Sequence, residues 1–277
     1  MPPSATPIAP DPRRASAGRA NALRAMRTLA GATLAEAIHS RVIATALLAA
    51  IAAAAAGMFA ASLALTDGAG IGAAVQGWLA RIGAVFVLAT FAVSSVVRDT
   101  DDKGLELVLS MPIPRSAYLL GKWAGMALAA LALATLVAAS LLPHAAPRAA
   151  AAWGASLFLE LIIVASAGLL CAVTFASVVG SLAALAAFYS LARTMAAMIA
   201  IGHGNVAPAD SPLFHAATVG LHGIAALLPR LDMYAPTAWL VTPGAELHGL
   251  PNMALQAAVY TIALLAAAAI DLSRKSV

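Results

Sequence analysis

Six runs of about 20 residues, at 42–65, 78–97, 123–142, 153–175, 179–201 and 253–270, are almost free of charged side chains. A helix rising 1.5 Å per residue needs about 20 apolar residues to cross roughly 30 Å of hydrocarbon. Each run is long enough for one crossing. Composition points the same way: 62% of the residues are hydrophobic and 10% charged, whereas soluble domains carry about a quarter charged residues. With a mean hydropathy of +0.91, a soluble enzyme with a large polar surface is excluded. The sequence predicts an all-α, polytopic membrane protein with six transmembrane helices.

Basic residues set the expected orientation, because they stay on the cytoplasmic side. Segments 1–41, 98–122, 176–178 and 271–277 hold 12 of the 16 Lys and Arg residues, whereas 66–77, 143–152 and 202–252 hold only Arg148 and Arg230. Both termini are therefore expected in the cytoplasm. The first apolar run starts at Val42 and is too late and too long for a cleaved leader. A single cysteine, Cys171, cannot form an intrachain disulfide. Residues 1–22 are rich in Pro, Ala, Ser and Arg without an apolar period, which reads as a disordered basic tail. In 23–41, Leu23, Met26, Ala30, Leu34, Ala37 and Ile38 recur at helical steps, as in an amphipathic helix at the membrane surface.

The connection 98–122 carries eight of the chain's 28 charged residues. Thr100, Asp101 and Asp102 favour a helix start, and Leu105, Val108 and Leu109 share one face of the helix that would follow. Pro112 stops that helix, and Pro114 suits the first turn of the next. A short helix tied at both ends to spans would transmit a push to two spans at once.

These residues carry a resemblance. Arg98-Asp99, then Gly104-Leu105-Glu106, a Leu-rich stretch, Pro112, Pro114-Arg115-Ser116 and Leu119-Leu120-Gly121-Lys122 together resemble the inner loop of ABC-2 type transporter permeases. The order is similar in particular to the permease of nitrous-oxide-reductase maturation systems. Six spans, an N-terminal interfacial helix and a long outer segment before the last span extend the likeness over most of 23–275. Specific residues match only within 98–122, and Lys103-Gly104-Leu105 stands where the family often has an acidic residue followed by Gly-Thr. The resemblance implies a multi-pass permease of the bacterial inner membrane that dimerises with itself or a second permease. It also implies a cytoplasmic ATP-binding subunit, into which the loop docks as a coupling helix through Gly104, Glu106, Leu109, Pro112 and Arg115.

This chain is not expected to hydrolyse ATP. A phosphate-binding loop needs GxxxxGK followed by Ser or Thr. Gly121-Lys122 is followed by Trp123, with Ser116 where the first glycine belongs. ATP and Mg would belong to the partner ATPase, and no cofactor is expected here. No catalytic constellation is apparent either. Asp67-Gly68 resembles the opening of a phosphatidyltransferase motif, but the downstream aspartates are missing. An integral membrane enzyme and an ATP-independent secondary transporter are the alternatives. The first needs clustered reactive groups at one depth, and the second usually shows internal repeats.

Charged residues inside spans are costly and usually paired. Glu160 and Arg193 fall at matched depths, about 10 and 12 Å from the outer ends of runs four and five, which are joined by almost no loop. They are expected to form an intramembrane ion pair. His144, His203, His215, His222 and His248 fall on the outer side without tight ligand spacing, so no metal is expected. Prolines cut 202–252 into short units, and its apolar content suggests a packed outer cap.

Overall fold

The computed structural model describes residues 12–65, 67–101, 115–202, 220, 223, 227–242 and 249–274. Its helices are α1 (Pro12–His39), α2 (Val42–Leu63), α3 (Gly68–Asp101), α4 (Arg115–Leu141), α5 (Pro147–Phe175), α6 (Val178–Gly202), α7 (Ala238–Val241) and α8 (Leu250–Arg274). A 3-10 turn, Leu231–Met233, precedes α7. No strand occurs among the described residues. The helices α2, α3, α4, α5, α6 and α8 are long and apolar enough to cross a membrane, the architecture of a multi-pass membrane protein.

Helix α5 is the axis of the bundle. Trp153, Leu157, Leu161 and Ile163 are wholly buried along it, packed among α3, α4, α6 and α8. The ends of α1, α3, α5 and α8 and the starts of α2, α4 and α6 lie at one end of the bundle, which we call basal; the opposite ends of α2, α3, α4, α5, α6 and α8 lie at the other, distal end. The Ala-rich helix α2 buries one stripe, Ala46, Ala50, Ala53 and Gly57, and exposes Leu47, Leu48, Ile51 and Phe59. Gly57 and Gly72 let α2 and α3 approach backbone to backbone. A β-carbon on Gly57 would lie 2.8 Å from the Gly72 carbonyl oxygen. Small residues serve helix contact in membranes in this way.

The connections have local chemical causes. Asp67 takes a left-handed conformation (φ 49°) that Asp tolerates, and its Oδ1 accepts the Gly70 N–H at 3.2 Å, capping α3. That is a structural role for the Asp67-Gly68 pair. Between α5 and α6 only Ala176 and Ser177 intervene: Ala176 turns left-handed (φ 48°), and Ser177 Oγ accepts the Gly180 N–H at 3.2 Å.

Two boundaries differ from the sequence reading. Helix α1 starts at Pro12, inside the stretch read as a tail. Proline suits a first helical turn, and the Ala and Arg that follow are good helix formers. The stripe expected at the membrane surface packs in part on protein. Ala37 is buried, Met26, Ala30 and Leu34 are half-buried against the bundle, and Leu23 and Ile38 remain exposed. Thr100 and Asp101, read as a helix start, instead belong to the last turn of α3. Nothing in 98–101 stops that helix, and Thr100 Oγ1 donates back to the Val96 carbonyl at 3.1 Å.

Candidate functional site

Helices α3 and α4 end and begin on either side of 102–114. Gly104, Glu106, Leu109 and Pro112 all lie in that segment, outside the described residues. Arg115 is described: its Nη1 donates to the carbonyl oxygens of Leu272, at 3.0 Å, and Ser273, at 3.3 Å. A guanidinium is well placed on the unsatisfied carbonyls of a helix C-terminus, so Arg115 fastens α8 to the first turn of α4. Nearby, Thr174 Oγ1 donates to Asp271 Oδ2 at 3.0 Å and ties α5 to α8.

A charged cluster joins α1, α3 and α4 at the helix ends that flank 102–114 in the chain. Glu36 Oε2 accepts from Ser95 Oγ at 2.7 Å and Lys122 Nζ at 3.3 Å, while Glu36 Oε1 lies 3.2 Å from Arg98 Nη2. Lys122 Nζ also lies 2.8 Å from Asp99 Oδ2, which accepts the Tyr118 hydroxyl at 2.8 Å. Lys122 is only 4% exposed, so its ammonium depends on both carboxylates, because an unpaired buried charge is strongly unfavourable. Two acids and two bases balance. What brings α1 close enough is the pair Gly121 and Gly125 on α4. A β-carbon on Gly121 would lie 2.8 Å from Leu29 Cβ, and one on Gly125 would lie 2.5 Å from Thr33 Cβ. The sequence reading placed Arg98, Asp99, Gly121 and Lys122 in a loop; in the fold they belong to the ends of α3 and α4.

A second cluster lies in the distal half. Glu160 and Arg193 meet there, with Arg193 Nη1 3.3 Å from Glu160 Oε1. The same oxygen accepts the Tyr189 hydroxyl at 2.8 Å. Arg193 Nη1 also donates to the carbonyl oxygen of Leu231 and, at 3.1 Å, to that of Tyr234. Segment 231–235 is thus drawn into the bundle. The Ala235 N–H donates to Ser156 Oγ at 2.7 Å, and the Tyr234 hydroxyl donates to the Met253 carbonyl at 2.8 Å. Burial pushes the Tyr234 hydroxyl above the ordinary tyrosine range, and the charge of Glu160 adds to it, so Tyr234 stays a neutral donor. Leu231, Tyr234 and Ala235 are wholly buried, with Trp239 and Leu240 nearly so. Leu240 closes onto α3, its Cδ1 2.6 Å from where a Gly77 β-carbon would stand.

The sequence reading paired Glu160 with Arg193 and missed three members of the hydrogen-bonded cluster, Tyr189, Tyr234 and Ser156, and the nearby Arg81. Arg81 is a lone cation in an apolar run, the signal that singled out Glu160. No comparable signal marks the others.

The remaining distal expectations fall mostly outside the described residues. His203, His215, His222 and His248 lie there, as do most residues between 203 and 226. His144 is described, and its Nδ1 is buried without a hydrogen-bond partner. Among the described residues no group of three or more His, Cys, Asp or Glu could hold a metal. No protein-family model matches the chain, and no curated protein matches it significantly.

Proposed function

We propose that this chain is the membrane-spanning permease subunit of an ABC transporter, working as a homodimer or with a second permease. The basal end faces the cytoplasm of a bacterial cell, and 102–114 docks on a separate ATP-binding subunit. Hydrolysis by that subunit drives substrate export across the inner membrane.

The observation that carries this reading is the clamp on the helix ends that flank 102–114. A docking segment transmits work only if its anchors are stiff. Here the anchors are the ends of α3 and α4, bridged by Lys122 to Asp99 and by Glu36 to both Arg98 and Lys122. Arg115 extends the clamp to the end of α8. A displacement of the segment would move α1, α3, α4 and α8 together. The basic residues concentrated at this end favour the cytoplasmic side. The resemblance of 98–122 to permease inner loops supplies the family.

Co-purification tests it. The full chain, tagged and expressed with a P-loop ATPase encoded beside it, is expected to bring that ATPase down from detergent extract. Recovery of the chain without the ATPase would count against the proposal.

A further inference from the structure

Arg81 is the charge in this fold that the contacts leave unexplained. It is 6% exposed, its Nε has no hydrogen-bond partner, and among the described residues no carboxylate oxygen lies within 4 Å of its guanidinium. Its complement is close by. Glu160 is wholly buried and spends Oε1 on Tyr189 and Arg193, but Oε2 has no partner.

The helix register sets their separation. Helices α3 and α5 run parallel: Gly77 lies against Trp153, and Gly168 lies against Ala92. That offset sets Arg81 level with Leu157, so Glu160 stands three residues, about 4.5 Å, further along the axis. A buried donor and a buried acceptor, oppositely charged and both unsatisfied, sit about one helical turn apart. Buried polar groups in folded proteins are overwhelmingly paired.

The present partner of Glu160 holds something else in place. Arg193 grips the carbonyl oxygens of Leu231 and Tyr234, and the next residue, Ala235, is left-handed at φ 47°. That conformation is disfavoured for a residue with a β-carbon. Segment 231–235 thus carries a left-handed residue and is fastened by the side chain that also holds Glu160.

We propose that Glu160 and Arg193 form a latch on the distal segment and that Arg81 is the second seat of Glu160. When 231–242 lifts away with Arg193, Glu160 closes on Arg81. Each state then has one buried ion pair, and neither leaves the carboxylate alone in low dielectric. The open state is a minor one at rest. Arg81 is a positioning residue here: it stabilises the released state and donates no hydrogen bond to the segment. The latch needs no ATPase, so its failure leaves the docking proposal untouched.

Leu240→Cys in a Cys171→Ser background gives the readout. Leu240 is nearly buried against Gly77, so labelling by a membrane-impermeant maleimide reports lifting of the segment. The full-length protein is studied in phosphatidylcholine nanodiscs, which leave both faces open. Arg193→Gln should raise the labelling rate about tenfold, the factor given by about 1.4 kcal/mol. Arg81→Gln should lower the rate by a similar factor, because the released carboxylate has lost its second seat, and Arg81→Lys should restore it. An Arg81→Gln rate equal to or above that of the parent overturns the latch. Should Arg81→Gln fail to give a monodisperse protein, Glu160→Gln combined with Arg193→Gln decides. It should label more slowly than Arg193→Gln alone, because no released carboxylate closes on Arg81, and a rate equal to or above that of Arg193→Gln would overturn the proposal.

Discussion

Glu160 is wholly buried, and its ion-pair partner is less so. The Arg193 side chain keeps 20% of its surface, whereas Glu160 has none. Breaking a fully buried pair costs about 3–5 kcal/mol, so Arg193→Ala should fall near 3 kcal/mol, read as a lower denaturation midpoint and a lower folded yield. Glu160→Ala with Arg193→Ala should recover part of that loss. Recovery stays incomplete because the Leu231 and Tyr234 carbonyls lose a donor, at about 1 kcal/mol each. Wild-type stability in Arg193→Ala would contradict the pairing. This contact was legible because matched depth in adjacent spans is a one-dimensional signal. Arg81 carries the same signal, but its counterpart is a parallel helix far along the chain. Glu36 with Lys122, 86 residues apart, gives no such signal: only the close approach of α1 to α4 brings them together.

Spans were legible as elements because a continuous apolar run leaves few choices. Their ends were not, because helices outlast the hydrophobic stretch until something stops them. Thus α3 runs from Gly68 to Asp101, taking in the acids that suggested a new start. The seat of α1 was equally hidden. Gly121 and Gly125, spaced for close helix contact, lie in a motif read for its charges. Gly125→Val would press on Thr33 Cβ and on the Ala30 carbonyl oxygen, 2.5 and 2.9 Å from even a β-carbon. Overpacking of this kind costs about 1–3 kcal/mol, and α1 is the element free to yield. Trypsin should then cut at Arg24 or Arg27 faster in Gly125→Val than in wild type, with α2–α8 intact. Equal cleavage would mean that α1 is held elsewhere.

Across the whole molecule, the six long apolar helices bring the ends of α1 and α8 to one end, beside the basic clamp. The distribution of Lys and Arg, 12 against 2, is the ground on which we propose that this end faces the cytoplasm. A reporter fused after Val277, or inserted near Asp102, should read cytoplasmic; one near Asp210 should read from the opposite side. A reversed reading at any of the three sites would overturn the orientation. The central claim is that 102–114 passes the work of an ATPase into the clamp, and the most direct measurement is the turnover of that ATPase in the purified complex. Wild-type chain should stimulate it. Leu109→Asp should leave insertion and dimerisation unchanged while binding of the ATPase and its stimulation both fall. A Leu109→Asp chain that binds and stimulates as well as wild type would contradict the account.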